Sequence, residues 1–399
     1  MIQPSVRVAS PAASGPRHPA IFNLGFRIFF FAGATWAVVM IGVWLLLYAY
    51  GLPWTNHFAP GPWHGREMLF GFAGAVIAGF LLTAPGNWTG ATMPSGGKLA
   101  ALFLFWLAGR LVTFAPNFVP ASVMLVLDAA FFPVLGLYLF QLLLRFHLVR
   151  NLFFPVLLLG MGAANALTYG GYRTAAGQAL GTELMLALVV VVIAIMGGRV
   201  IPGFTHGRYP QGSTRNRPAL NLAAMIMLIG ALAADLAGVP AGLRAGLFGA
   251  AALLHAARLC GWYTREIWSD ALTWVLHLAY GWLVVGLALH AAWSLGHGNS
   301  LLARHAITVG TIGTITLGMM CRVTIGHTGR AFVLPHGTVS AFVLITLAAL
   351  TRVGLPLIAP SAYLTGVKIS AVLWMAAFSI YLVQYGPMLF KPRADGRPG

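Results

Sequence analysis

The chain has 399 residues, 59% of them hydrophobic and only 8% charged, with a formal net charge of +17. Soluble domains carry about 25% charged residues, so water is excluded as the main solvent and a membrane-inserted chain is the class that fits. The basic residues stand singly between apolar segments, which excludes a nucleic-acid-binding surface, and two cysteines without a CxxC or CxxCH exclude a disulfide framework, a zinc ribbon and covalently attached c-type haem.

The first 26 residues have no continuous apolar run ahead of a small-residue cleavage site, and read as a short polar tail rather than a signal peptide. Apolar runs then fall at 27–50, 64–85, 98–115, 119–145, 151–170 and 177–198, and, after a loop at 199–218, at 219–237, 241–262, 268–293, 302–325, 337–357 and 362–389. A bilayer core needs about 20 apolar residues per helix, and most of these runs meet that. Short connections with Pro-Gly, Asn-Gly and Gly-Gly turn signals separate them. The expected fold is an all-α integral membrane protein, with about twelve transmembrane helices in one bundle. The tail is 1–26, the membrane domain 27–390 and a second tail 391–399.

Charge orients the bundle. With the N-terminus in the cytoplasm, one face collects both basic termini, Lys98, Arg145, Arg150, the four arginines of the 199–218 loop, and Arg258, Arg265, Arg322 and Arg330. That is most of the chain's basic residues, as the positive-inside rule requires, and it places both termini in the cytoplasm.

At 1.5 Å per residue each polar side chain then takes a depth. His255 and His277 fall about 5 Å on the cytoplasmic side of the midplane, on consecutive antiparallel helices, which is the arrangement that axial ligation of a haem needs. His64, His290 and His305 fall about 12–15 Å on the outer side. Glu67, three residues after His64, faces the same side of its helix, so imidazole and carboxylate together suit a copper or iron ion and a proton-handling partner. His327 lies near the cytoplasmic end of the tenth helix. Asp128, Glu183 and Asp235 lie in the outer half, and Asp128 and Arg110, from adjacent helices, match as an ion pair whose plain reading is charge compensation. A lone histidine in a helix is commonly a hydrogen-bonded packing group. That reading suits the interfacial or loop residues His18, His57, His147, His290, His297 and His336.

Several strings resemble the NnrS family. They are Trp63-His64-Gly65-Arg66-Glu67-Met68-Leu69-Phe70-Gly71-Phe72, then Gly79-Phe80-Leu81-Leu82-Thr83-Ala84 with Asn87-Trp88-Thr89-Gly90, and Gly198-Arg199-Val200-Ile201-Pro202. Further on come Trp274-Val275-Leu276-His277-Leu278-Ala279-Tyr280, His305-Ala306-Ile307-Thr308-Val309-Gly310, Thr316-Leu317-Gly318-Met319-Met320 and Gly326-His327-Thr328-Gly329-Arg330. The strings run in the family's order over residues 22–330. The resemblance implies a bacterial inner-membrane protein with haem and copper, linked to nitric oxide and nitrosative stress. By position it implies roles for His64, Glu67, His277, His305 and His327. One residue departs from the pattern: Arg66 stands where the family usually has a second histidine. A guanidinium has no free lone pair for a metal, so Arg66 puts copper, but not haem, in doubt.

Taken together, the candidate haem-binding residues are His255, His277, His305 and His327, and the candidate metal ligands are His64, His277, His305 and His327. Glu67 is the candidate catalytic acid. The expected activity is binding and reduction or removal of nitric oxide on haem b, with the lipid bilayer, nitric oxide and an unidentified electron donor as partners. The competing expectations are an electron-transfer or gas-sensing cytochrome, favoured by two protein axial ligands, and a cofactor-free secondary transporter.

Overall fold

The structure, a computed structural model, describes residues 18–115, 118–170, 175–212 and 214–397. The expected N-terminal tail therefore lies outside the described residues as far as residue 17. Among the described residues twelve helices are long and apolar enough to cross a membrane. In chain order they are α1 (Gly25–Tyr50), α2 (Pro60–Thr89), α3 (Gly96–Phe114), α4 (Ala121–Arg145), α5 (Val149–Tyr169) and α6 (Gly177–Arg208). There follow α7 (Pro218–Leu236), α8 (Ala241–Trp262), α9 (Ala271–Ser294), α10 (Ser300–His327), α11 (Thr338–Ile358) and α12 (Pro360–Phe390). No strand occurs among the described residues. The protein is a multi-pass membrane protein.

Local sequence sets the helix ends. Gly51 and Gly90 take positive φ, at 67° and 70°, and stop the chain after α1 and after α2. Proline opens α2 and α7 near their first turns, where a missing N–H costs nothing. Asn299 caps α10, its side-chain oxygen accepting from the Leu301 amide at 2.8 Å. One boundary differs from the sequence reading. The loop expected over 199–218 is helical as far as Arg208, because α6 continues through Pro202 beyond the apolar run. Arg199 steadies that extension by donating to Asn151 at 3.2 Å and lying over the Phe153 ring.

Consecutive spans pack as neighbours, except that α3 leaves α2 and packs on α4 and α1, and α12 returns to α1. Arg27, buried at the start of α1, donates to the Leu389 and Lys391 carbonyls at 2.9 and 2.8 Å. Those bonds put the start of α1 and the end of α12 on one face, called here the terminal face. The opposite face is where α2 and α10 begin. These two helices form the centre, with 78% and 72% of their apolar stretches buried, against 22% for α7 and 28% for α3. On α7, Leu222, Ile226 and Ile229 make an exposed i, i+4, i+7 stripe, which water would penalise and lipid accepts.

Both central helices are interrupted in the same way. A π-helical segment occupies Glu67–Ala73 in α2 and Ala306–Gly313 in α10. Such widened turns are frequent at functional sites, and they displace side chains that a regular helix would align.

Candidate functional site

A cavity of about 420 Å³ opens among α1, α2, α6, α10, α11 and α12, beside the first turns of α2 and α10. His64 is the fifth residue of α2 and His305 the sixth of α10, each just ahead of the π segment, and both line the cavity. These two imidazoles, expected at one depth, share one chamber. His305 holds its Nδ1 2.6 Å from the Leu301 carbonyl, so this nitrogen carries the proton and Nε2 keeps its lone pair. His64 stacks on Trp44, centroids 4.2 Å apart, and its buried Nδ1 has no hydrogen-bond partner among the described residues. Apolar groups such as Ile41, Leu69, Phe72 and Trp374 make most of the wall. Three ionised side chains interrupt it. Glu183 pairs with Arg304 at 2.6 Å, and Arg352 reaches in from α11.

Behind His64 lies a second polar layer. Glu67 also faces α1, as the i, i+3 spacing requires, but it does not line the cavity with His64. It is fully buried, accepts from the Trp36 indole at 3.0 Å, and lies 3.3 and 3.4 Å from the guanidiniums of Arg110 and Arg66. The expected ion pair of Arg110 with Asp128 is present, and Arg66 shares the same carboxylate. Asn165 and Tyr169 donate to Asp128 at 3.0 and 2.8 Å, and the Arg66 guanidinium carbon lies 4.6 and 4.5 Å from the centroids of the Phe58 and Tyr169 rings, which themselves meet edge to face. Two guanidiniums and two carboxylates thus close a neutral cluster joining α2, α3, α4 and α5. Gly71 admits it. A Cβ there would come within 2.4 Å of the Trp36 indole nitrogen, which holds Glu67. Gly71→Ala is expected to lower stability by about 1–3 kcal/mol, the usual cost of overpacking, measured as a fall in the unfolding temperature of the purified protein.

The remaining histidines fall elsewhere. His255 has its Nδ1 2.6 Å from the Tyr280 hydroxyl and 3.3 Å from Arg258, and its buried Nε2 has no partner among the described residues. His277 donates from Nδ1 to the Thr273 carbonyl at 3.0 Å, with Nε2 3.4 Å from the Trp262 carbonyl. Tyr280 packs on both His255 and Trp262. His327 ends α10 at the terminal face, 22 residues and about 30 Å from His305 along the axis. His290 leaves the group that depth assigned it to. It stacks on Phe248 and lies 3.2 Å from Asp235, away from the cavity wall. Among the described residues no three His, Cys, Asp or Glu side chains gather as a metal-binding group.

The family model described as NnrS protein matches residues 20–393. The chain belongs to the NnrS family. No curated protein matches it. The NnrS-like strings can now be read physically. The Trp63–Phe72 string carries the cavity histidine, the cluster and the first π segment, and the His305–Gly310 string carries the second histidine and π segment. In Gly198–Pro202, the glycine leaves room for the end of the Arg258 side chain, which a Cβ there would have to displace. Arg66, where the resemblance leads one to expect a histidine, is a member of the ion cluster and does not line the cavity. Sequence reasoning missed Arg352, Tyr363 and Trp44. For Arg352 a signal was available, a single charge inside an otherwise uncharged span.

Proposed function

We propose that this NnrS-family chain is a membrane haem protein that binds nitric oxide and removes it, with the haem held in the His64–His305 cavity. Family membership links the chain to nitric oxide-related function in general. The observation that carries the haem reading is the pair of imidazoles on one chamber, His305 with Nε2 unblocked and His64 with an orphaned Nδ1. The chamber falls in the size range of cofactor pockets, about 300–1,000 Å³, and its aromatic and aliphatic wall suits a flat apolar macrocycle. A haem brings its own four nitrogens and asks the protein for one or two axial ligands, which is what two histidines offer. Copper has a weaker case, because Arg66 is turned into the ion cluster and cannot serve as a third donor.

When bound, haem supplies an iron whose open position takes a diatomic gas. The chain's residues do the rest. His305, oriented by the Leu301 carbonyl, is the residue that would hold the iron, and His64, stacked on Trp44, lines the same space. Glu183 is the carboxylate on the cavity wall and can hold or pass a proton there, kept in place by Arg304. Glu67 has its oxygens engaged by Trp36, Arg66 and Arg110, and positions α2. Ile41, Phe72 and Trp374 exclude water from the inner wall. On the positive-inside count the termini are cytoplasmic, the cavity opens toward the outer half of a bacterial inner membrane, and electrons come from an unidentified donor.

The test is a pyridine haemochrome assay on purified full-length protein, with anaerobic nitric oxide consumption in the presence of a reductant. Haem b and consumption above the buffer rate are expected; colourless protein that leaves nitric oxide untouched overturns the reading. A second reading follows from the same two imidazoles. Both on one iron would close its open position and make the protein an electron-transfer cytochrome. In that case nitric oxide would leave the reduced spectrum nearly unchanged.

A further inference from the structure

Among the described residues, Arg352 is the buried arginine with the fewest hydrogen-bonding partners. It is 4% exposed, and one terminal nitrogen donates to the Tyr363 hydroxyl at 3.0 Å. The other terminal nitrogen is buried and has no partner among the described residues. Its ring neighbour is again Tyr363, with the guanidinium carbon 5.0 Å from the centroid. The other buried arginines are better provided for. Arg66 and Arg110 have Asp128 and Glu67, Arg27 has backbone carbonyls of α12 and beyond, and Arg258 has Tyr280, Asn221 and the Ala194 carbonyl. A charged group inside a membrane helix is costly and is kept where something pairs with it or uses it.

Arg352 lines the cavity, alongside His64, His305 and Trp374. The ionised groups on that wall are two guanidiniums against one carboxylate, and that carboxylate, Glu183, is already engaged by Arg304 at 2.6 Å. The protein therefore brings one positive charge more than it neutralises to a mostly apolar chamber, with a planar fork of donors suited to a two-oxygen anion.

We propose that Arg352, steadied by Tyr363, is the carboxylate-recognition residue of the cavity. It pairs with an anionic carboxylate that enters beside His64 and His305. The proposal deepens the haem reading, on which its first form rests: a haem carries two propionate carboxylates, and one of them would meet Arg352. The same chemistry could come from a free small carboxylate, and the experiment separates the two sources.

Full-length protein in lipid nanodiscs, stripped of haem, is titrated with haemin and with haemin dimethyl ester, which has the same macrocycle and iron but no carboxylates. Wild-type protein is expected to bind haemin at least about tenfold more tightly than the ester, the scale of a charge-assisted hydrogen bond. Arg352→Met is expected to weaken haemin by about the same factor and leave the ester unchanged, while Arg352→Lys keeps part of the preference. His305→Ala should weaken both porphyrins alike, since it removes the ligand to iron and leaves the carboxylate contact. The wild-type comparison of the two porphyrins needs no variant to fold. Equal binding of both, with Arg352→Met equal to wild type, overturns the proposal. If wild-type protein takes up neither porphyrin, the haem reading has failed and a second titration decides the carboxylate site. Acetate is then added and the fluorescence of the cavity tryptophans followed. A saturable change absent in Arg352→Met supports the site for a free carboxylate, and no Arg352-dependent change overturns it.

Discussion

Asp128→Asn is expected to be the most destabilising single substitution in the bundle, costing about 3–5 kcal/mol, the range for breaking a buried charge pair from one side. The side chain keeps its shape and loses only its charge, so packing cannot account for the result. Asp128 compensates two guanidiniums, of Arg66 and Arg110, and also receives Asn165 and Tyr169. Without its charge both arginines remain buried with Glu67 as their one carboxylate among the described residues, its oxygens 3.3–3.4 Å away, although Arg66 keeps its neutral partners Asn165 and Thr168. Glu67→Gln should cost less, because its contacts with the arginines are longer and Trp36 can still donate to an amide oxygen. Combining Asp128→Asn with Arg66→Met removes one charge of each sign and should recover part of the loss; the coupling in that cycle isolates the pair. Unfolding of purified protein followed by tryptophan fluorescence reads these differences. An Asp128→Asn protein within 1 kcal/mol of wild type would show that the cluster is hydrated or otherwise compensated.

The cluster also marks the limit of what the chain's order reveals. The spans were legible because a bilayer demands contiguous apolar residues, and pairing Arg110 with Asp128 followed from depth alone. Depth is a single coordinate. It put His64, His290 and His305 at one level, yet which way each ring points around its helix depends on packing, and His290 turns to Asp235 and Phe248. The π segments had no visible signature, since glycines and alanines at those positions equally suit a regular helix pressed against a neighbour. The end of α6 was misplaced for a related reason. Arg199 and Pro202 resemble stop signals, but Arg199 finds Asn151 and Phe153 on α5 and the helix runs on. Arg352 belongs to no recognised string, and its isolation becomes visible only once the partners of the other buried arginines are known.

His305→Ala is expected to reduce the haem retained through purification to about a tenth or less, with little effect on folding. Disturbing even the outer-shell partner of a metal-binding histidine costs about 10–100-fold in metal affinity, so removing the ligand itself should cost at least that. The choice of His305 over His64 rests on pre-organisation. Its proton is committed to the Leu301 carbonyl, which directs Nε2 as an acceptor, whereas His64 is placed by stacking on Trp44 with no bond fixing its tautomer. His64→Ala should accordingly keep the haem and change how nitric oxide alters its spectrum. Added imidazole should restore haem to His305→Ala, because the truncated side chain leaves room for the free ligand where the ring had been. His327→Ala, about 30 Å away on the same helix, serves as the neutral control. His277→Ala tests the inner pair. Loss of haem there, with His305→Ala unchanged, would move the cofactor to the His255–His277 region, where the Tyr280 hydroxyl now engages Nδ1 of His255.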